Sequence, residues 1–382
     1  MSEHRSEARV RRGANGASPP RNMEAAVSTL WDTTGTEVVK ALGAARRNGA
    51  AVTSGLALTF VVVAEERHVE MAEAAATTAA AMHPCRLVMV VRRENTAPTP
   101  RLDAEVSVGG RLGPGEAVQL RMYGRLALHA ESVVLPLLAP DVPVVTWWPG
   151  KAPDRLGTDG LGVLAERRVT DCAVHDNALD ALRTRATDYA PGDTDLAWTR
   201  ITSWRSMLAA AVDSAGDPGR ASVTVTGGRV YGRPDSASAA LLAGWLSSRL
   251  YTSVKVVESD PKAPEKGGLP DPGGVSGARL DLAGADPIYI HHREGAGVVT
   301  RSGRPDSSAA LTERDIGELL GEELRRLDAD ESYCAALAAA TNSRGLSRRP
   351  GTRSLIWEDP AAAPDKRGED VTVAGKVQGS RR

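Results

Sequence analysis

Residues 55–92, GLALTFVVVAEERHVEMAEAAATTAAAMHPCRLVMVVR, contain two apolar runs on either side of an alanine-rich segment. The runs Gly55–Ala64 and Arg86–Arg92 are rich in Val and Leu and do not alternate with polar residues. Continuous runs of this kind are typical of parallel strands buried on both faces, because a strand with one wet face would alternate. The segment between them, near His68–Met82, fits a helix. This stretch therefore predicts two parallel strands joined by a helix.

The two segments that follow have a different pattern. Leu102–Val108 and Ala117–Leu126 alternate between apolar and polar residues, and glycines lie between them. Alternation around a glycine-rich turn predicts an antiparallel hairpin. A further apolar run, Val142–Trp148, predicts another buried strand and is followed by Pro-Gly. We therefore expect a mixed sheet in an N-terminal α/β domain that spans residues 23–150.

Residues 151–215 predict a helical bridge. Within it, Pro191–Asp213 carries apolar residues at spacings of three and four, with Arg205 embedded among them. Such spacing gives one apolar stripe along a helix. Asp193 and Asp195 are candidate caps at its start, where carboxylates are favourable. This helix is expected to pack against another part of the protein.

Residues 216–342 predict a second α/β domain. Its predicted order of strands and helices resembles that of the first, so an internal duplication is one interpretation, which the low identity between the halves leaves open. The segments 1–22 and 343–382 are rich in Arg, Gly and Pro and predict disordered tails, and Met23 is a candidate start. The predicted fold class is α/β, with two mixed-sheet domains joined by a helical bridge.

Composition argues against several classes of protein. The 47 Lys and Arg residues nearly cancel the 48 Asp and Glu residues, so no global field steers the chain onto nucleic acid or an anionic membrane. The longest apolar run is about half of the ~20 residues that cross a bilayer. Cys85, Cys172 and Cys334 lie far apart, which predicts neither a disulfide framework nor a zinc site. We expect a cytoplasmic protein with no nucleic-acid and no membrane partner.

The common catalytic motifs are missing from the sequence. It contains no H-E-x-x-H, no G-x-x-x-x-G-K-[ST], no strand-to-helix G-x-G-x-x-G and no G-x-S-x-G. These motifs hold zinc, phosphates, dinucleotides and a nucleophilic serine, respectively. The sequence therefore predicts no catalytic residue, no metal ligand and no cofactor-binding residue, and we expect a protein that is not an enzyme and has no cofactor.

Four of the seven tryptophans lie close together along the chain: Trp147, Trp148, Trp198 and Trp204. Neighbouring side chains in a strand face opposite sides, so Trp147 and Trp148 enter different layers. Two alternatives follow: both are buried, or at least one belongs to a partner surface, where Trp is a common anchor. Arg200 lies four residues before Trp204, a spacing that allows a cation–π contact.

Arg205 lies on the apolar stripe of the bridging helix. A guanidinium on a packed face needs a planar acceptor, such as a carboxylate or a phosphate. The sequence leaves open whether that acceptor is internal or belongs to a partner or an anion. The candidate partner-binding residues are therefore the four tryptophans, the two caps and the two arginines of this segment: Trp147, Trp148, Asp193, Asp195, Trp198, Arg200, Trp204 and Arg205.

Several of these strings resemble a known family. Val142–Gly150 (VPVVTWWPG), Pro191–Arg205 (PGDTDLAWTRITSWR), His83–Arg86 (HPCR), Glu131–Leu138 (ESVVLPLL) and the acidic stretch Glu322–Asp328 are similar to the OpcA family of glucose-6-phosphate dehydrogenase assembly proteins. The similarity runs from about Thr33 to Ala340. The double Trp with Pro-Gly and the Gly-Asp-Thr-Asp-Leu-Ala-Trp string are long and unusual, so the resemblance is specific.

The resemblance implies a non-catalytic protein that binds glucose-6-phosphate dehydrogenase, promotes its assembly and raises its activity in the oxidative pentose phosphate pathway. It supplies no catalytic residue. The alternative, from another class, is a sugar-phosphate-binding enzyme or sensor in which Asp193, Asp195, Arg200 and Arg205 line an anion site. The same four residues are equally a helix cap with its ion pairs.

Overall fold

The computed structural model describes residues 26–48, 55–93, 97–109, 115–215, 223–258, 274–351 and 353. They form two β-sheets with helices packed around them, which confirms the α/β class. The predicted N-terminal tail, residues 1–22, lies outside this part of the chain. Among the described residues no helix is long and apolar enough to cross a membrane.

The first sheet has eight strands, in chain order β1 (Ala26–Leu30), β2 (Leu58–Glu65), β3 (Cys85–Arg92), β4 (Arg101–Val108), β5 (Glu116–Tyr123), β6 (Val144–Trp147), β7 (Arg167–Thr170) and β8 (Asp193–Asp195). Across the sheet they lie in the order β1-β4-β5-β3-β2-β6-β7-β8. The six strands from β5 to β8 are parallel, and β4 is antiparallel to both of its neighbours. The predicted parallel pair, the predicted hairpin and the mixed sheet are confirmed.

The six parallel strands follow a doubly wound order. Numbered among themselves along the chain, they lie 3-2-1-4-5-6, because the chain moves from β2 to one side and then returns to β6 on the other. Sheets of this order bind ligands at the carboxyl ends of the strands, at the point where the direction of winding changes. Here that point lies between β2 and β6.

The helices are α1 (Gly35–Asn48), α2 (Val69–Met82), α3 (Glu131–Val134), α4 (Gly160–Leu164), α5 (Ala178–Asp188), α6 (Leu196–Arg200), α7 (Thr202–Asp213), α8 (Ala237–Leu250), α9 (Ile316–Leu324) and α10 (Glu331–Thr341). On one face of the first sheet, α1 packs against β4. On the other face, α2 packs on β2 and β3 through five buried alanines, whose small side chains let the helix lie close to the sheet. The late helix α9 packs against α2.

Gly317 permits this contact between α9 and α2. A Cβ at that position would lie 2.5 Å from the Cβ of Thr78, so a larger residue would force the two helices apart. The C-terminal third of the chain therefore helps to cover the first sheet. The predicted second domain, residues 216–342, includes a helix that packs on the first.

The second sheet has six strands, in chain order β9 (Val225–Gly232), β10 (Val254–Val257), β11 (Val275–Leu282), β12 (Ala285–Arg293), β13 (Ala296–Thr300) and β14 (Ser307–Ala310). Their order is β10-β9-β11-β12-β13-β14. Only β9 and β10 are parallel, and the remaining pairs are antiparallel. The two sheets therefore differ in topology, and the duplication stays an interpretation.

Residues 151–215 differ from the predicted helical bridge. They contain α4 to α7, but they also supply β7 and β8 to the first sheet. The first sheet thus extends beyond residue 150, the predicted end of the first domain. The predicted single helix Pro191–Asp213 is two helices that meet at Ile201, and it is preceded by β8. Strands of four and three residues are too short for a periodic pattern, and these two carry charged residues.

The predicted C-terminal tail, residues 343–382, is ordered where it is described. Leu346 is 1% exposed and joins the core of the second sheet. Arg349 donates hydrogen bonds to the backbone carbonyls of Ala186 and Tyr189 at 2.9 and 3.1 Å. The prediction of disorder is wrong for residues 343–351, because a single apolar residue and one arginine tie this segment to α5. Residues 354–382 lie outside the described part of the chain.

Candidate functional site

Trp147 and Trp148 lie on opposite faces of the first sheet. Trp147 packs with α2, and its ring lies 6.4 Å from that of Phe60. Trp148 enters the cluster that includes α1. The prediction of opposite faces is confirmed, but the two residues are only 1% and 2% exposed. Neither presents a surface to a partner in this conformation, so the structure favours the alternative in which both belong to the core.

Asp195 is the N-cap of α6. Its carboxylate accepts hydrogen bonds from the amide of Ala197 at 3.0 Å, from the hydroxyl of Thr170 at 2.7 Å and from the amide of Cys172 at 3.0 Å. A buried carboxylate needs several donors of this kind. The predicted cap is confirmed for Asp195, whose carboxylate also joins α6 to the end of β7.

Asp193 lies in β8 instead of at a helix start. Its carboxylate forms a buried ion pair with Arg168 on β7 and accepts a hydrogen bond from Arg353 at 2.5 Å. The chain reaches β8 through Gly192, which has φ +94°, and a Cβ there would lie 2.1 Å from the carbonyl oxygen of Glu166. Only glycine fits this close approach. The Gly-Asp pair therefore fixes the last strand of the sheet.

The tryptophans of α6 and α7 are also buried. Trp198 is 1% exposed and Trp204 is fully buried. The indole N–H of Trp198 donates to Asp330 at 2.8 Å, and its ring lies 6.0 Å from that of Tyr333 on α10. Both tryptophans belong to the core of the second sheet. They hold α6 and α7 against the C-terminal helices.

Arg200 and Arg205 have internal contacts. Arg200 donates two hydrogen bonds to the carboxylate of Asp171, at 2.7 and 2.5 Å. The guanidinium of Arg205 lies 3.6 Å from the ring centroid of Trp198 and donates to the hydroxyl of Thr202 at 2.9 Å. Arg205 therefore has an internal partner, and this partner is the face of the Trp198 ring and not a carboxylate or a phosphate. The contact predicted between Arg200 and Trp204 stays a prediction.

Burial perturbs the guanidinium of Arg205. Desolvation lowers its pKa to about 10, although Asp330 and Glu322 oppose this shift. The Nε atom is buried without a hydrogen-bond acceptor among the described residues. Arg205 remains charged at neutral pH, and its attraction to the indole ring offsets part of the desolvation cost.

A buried ion pair that the sequence did not reveal lies beside Arg205. Arg167 on β7 is 1% exposed and pairs with Glu323 on α9. Arg167 also donates to the carbonyl of Asp328 at 2.9 Å, and the hydroxyl of Thr199 donates to Glu323 at 2.6 Å. Arg167 and Glu323 belong to segments that lie far apart in the sequence. No local pattern in either segment indicates that their charges pair.

Glu322, the neighbour of Glu323, completes the cluster. Arg314 pairs with its carboxylate at 2.5 Å, and Thr202 donates to it at 2.9 Å. We call the whole group the junction cluster, because it joins the first sheet, α6, α7 and α9. Its members are Arg167, Trp198, Thr199, Thr202, Arg205, Arg314, Glu322, Glu323 and Asp330.

The junction cluster has the chemistry of a structural joint. Arg167 and Arg314 pair with carboxylates of the cluster, and Arg205 stacks on Trp198. The threonine hydroxyls of the cluster donate to carboxylates that are already paired with arginine. Cys172 lies nearby, but burial and the Asp195 carboxylate raise the pKa of its thiol. A thiol kept protonated is a poor nucleophile. Across the described residues no group of three His, Cys, Asp or Glu side chains could hold a metal ion.

The crevice between β2 and β6 carries charges of both signs. Glu65 ends β2 and Glu66 follows it, and the two carboxylates form ion pairs with Arg67 and Arg93. Gly150, after β6, is so close to the imidazole of His68 that a Cβ there would lie 2.6 Å from a ring carbon. The doubly wound order therefore comes without the glycine-rich turn that cradles a pyrophosphate at this point in dinucleotide-binding proteins.

The four residues of the predicted anion site do not converge on one cavity. Asp193 pairs with Arg168, Asp195 accepts from backbone and hydroxyl donors, Arg200 pairs with Asp171 and Arg205 stacks on Trp198. Each functional group is directed at a different internal partner. This arrangement does not favour the sugar-phosphate alternative at these residues.

Comparison with known proteins identifies the family. A family model described as the glucose-6-phosphate dehydrogenase subunit N-terminal domain matches residues 76–187, and one described as the C-terminal domain of that subunit matches residues 191–337. No curated protein and no solved structure matched the chain. The two matches together cover more than half of the sequence and confirm the resemblance found in it. The chain belongs to the OpcA family of glucose-6-phosphate dehydrogenase assembly proteins.

Proposed function

We propose that this chain is a non-catalytic subunit that binds glucose-6-phosphate dehydrogenase, promotes its assembly and raises its activity in the cytoplasm. The observation that carries the proposal is the pair of family matches, which together include strands of both sheets and are both described as dehydrogenase subunit domains. Partner binding is the role that those descriptions suggest. The oxidative pentose phosphate pathway is the setting that the dehydrogenase implies.

The chemistry of the described residues supports a role without catalysis. The charged groups of the junction cluster have internal partners, and the turn that follows β2 lacks the glycine-rich sequence that cradles a phosphate. The fold alone does not determine function, since doubly wound sheets host many activities. The proposal therefore rests on the family and on the site together.

Steady-state kinetics test the proposal. The rate of glucose 6-phosphate oxidation by the dehydrogenase of the same organism is measured with increasing amounts of the purified chain. We expect the rate to rise and saturate, and the chain alone to oxidise no glucose 6-phosphate. A dehydrogenase rate that stays constant up to a large excess of the chain contradicts activation. Size-exclusion chromatography of the mixture, with light scattering, then reports whether the two proteins bind at all.

A further inference from the structure

On one face of the first sheet, none of the described helices covers the outer strands. Helices α2 and α9 cover that face over β2 and β3, whereas the outer strands β5, β4 and β1 extend beyond α2. The opposite face of the same strands is packed, because Val106 and Val118 belong to the cluster that α1 covers. Sheets with parallel strands are normally covered on both faces. An uncovered half-face in such a sheet marks a place where another molecule fits.

The bare strands and α2 form a groove. Its volume is about 820 Å³, and its floor is formed by Val27 on β1, Glu105 and Ser107 on β4, and Gln119 on β5. Residues of α2 form one wall. Val27 is 56% exposed, which is unusual for a valine in a strand. We call these strand residues, together with Trp31, the open half-face.

Trp31 directly follows β1, the strand that carries Val27. Leu30, the last residue of β1, packs against the face that α1 covers. The side chain of Trp31 is 66% exposed, in contrast to the buried Trp147, Trp148, Trp198 and Trp204. An exposed tryptophan is a common anchor of protein interfaces.

The groove is acidic. Glu70 and Glu73 on α2 and Glu105 on β4 line it, and none of the three forms an ion pair within the described part of the chain. No lysine or arginine is among the described lining residues. Because interfaces match potentials of opposite sign, the occupant must present basic side chains to this rim and an apolar pocket to Trp31.

We propose that the open half-face is the surface on which glucose-6-phosphate dehydrogenase docks, through a basic segment of the enzyme that lies in the groove and a pocket that receives Trp31. This inference rests on the proposed function. It moves the interface from the buried tryptophans to a side of the molecule that the sequence did not single out.

Affinity measurements on three variants test the inference. The dissociation constant for the dehydrogenase is measured by interferometry for the wild-type chain, Trp31→Ala and Glu73→Lys. We expect Trp31→Ala to weaken binding about 30-fold, the equivalent of ~2 kcal/mol for an interface anchor. Glu73→Lys should slow association and weaken the salt dependence of the association rate. The matched control is Tyr251→Ala, because Tyr251 is 95% exposed beside the second sheet and should bind like wild type.

The outcomes separate this inference from the proposed function. If wild type binds and both variants bind equally well, the docking surface is wrong while the proposed function stands. If wild type fails to bind, the proposed function fails and the inference with it. If the variants abolish self-association of the chain and leave the dehydrogenase affinity unchanged, a second copy covers the half-face and the inference is overturned. Circular dichroism of each variant verifies that it is folded.

Discussion

The junction cluster and the open half-face both hold aromatic and charged side chains, but they differ in how those groups are satisfied. At the junction, Trp198 donates to Asp330, and Arg167 pairs with Glu323. On the open half-face, Trp31 is 66% exposed, and the carboxylate of Glu105 forms no ion pair with the described residues. The same residue types therefore serve two purposes, internal fastening in one region and contact with another molecule in the other.

The type of a residue therefore does not determine its role. Tryptophan and arginine are enriched at interface anchors, yet they also fill cores where their polar atoms find partners. The density of tryptophan along the chain pointed to residues 147–204, and burial shows that this segment is largely interior. The predictions that follow compare the two regions, beginning with the largest expected effect.

The same substitution should cost much more stability in the core than on the open half-face. Trp147→Ala removes a side chain that is 1% exposed, and we expect it to lower the free energy of unfolding by about 3–5 kcal/mol. Trp148→Ala should behave alike. Trp31→Ala should change stability by less than about 0.5 kcal/mol, because most of its side chain is already in water. Urea unfolding followed by circular dichroism measures all three, and equal losses for Trp31 and Trp147 would contradict the comparison.

The buried ion pair of the junction gives the next largest effect. Arg167→Met leaves the carboxylate of Glu323 buried without its positive partner and without two hydrogen bonds, and we expect a loss of about 3 kcal/mol in the free energy of unfolding. The double variant Arg167→Met/Glu323→Met should recover part of that loss, since two apolar side chains need no pairing. Arg233→Met, which breaks an exposed pair with Asp235, is the control and should leave the melting temperature unchanged. A double variant less stable than the single one would sink this account of the junction.

The segment after α10 packs against the core of the second sheet and contacts α5. A chain that ends at residue 342 loses the buried side chain of Leu346, whose burial is worth about 2 kcal/mol, and the contacts of Arg349 and Arg353. We expect the free energy of unfolding to fall by at least that amount. A chain that ends at residue 353 keeps these contacts and is the control. Equal stability of the two truncated chains would contradict these contacts and support a disordered tail that begins at residue 343.

Thiol labelling tests whether the three buried cysteines become accessible to solvent in the native chain. Burial raises the pKa of Cys85 to about 12 and also raises the pKa values of Cys172 and Cys334. Because the thiolate is the reactive form, labelling at pH 8 should be slow in the native chain and complete only after unfolding. Ellman's reagent with and without denaturant tests this. A thiol that reacts fast in the native state would show that the structure around that cysteine opens to solvent.

Much of the first sheet could be predicted from sequence, because its strands are long and apolar. The runs predicted at Gly55–Ala64 and Arg86–Arg92 match β2 and β3 within three residues at each end. The strands β7 and β8 could not be found, since Arg167, Arg168 and Asp193 make buried segments look like polar loops. Their charges are neutralised by partners distant in sequence, and such pairing is invisible without the fold.

The interface candidates show that the positions of tryptophans along the chain do not reveal which of them are exposed. Trp147 and Trp148 were singled out by their adjacency, and alternation correctly placed them on opposite faces, but it could not reveal that both faces are covered there. The sequence gives no signal for the strand next to Trp31, because β1 (AVSTL) is short and its alternation is weak. Whether a strand face is covered depends on where α2 and α9 end, which is a property of the packed molecule.

Hydrogen–deuterium exchange of the chain with and without the dehydrogenase tests the central claim most directly, because it reports both regions in one experiment. We predict that the dehydrogenase slows exchange in β1 and along the exposed side of α2, and leaves α6, α7 and α9 unchanged. Protection confined to α6, α7 and α9, with none at β1 or α2, would contradict the account and return the interface to the junction.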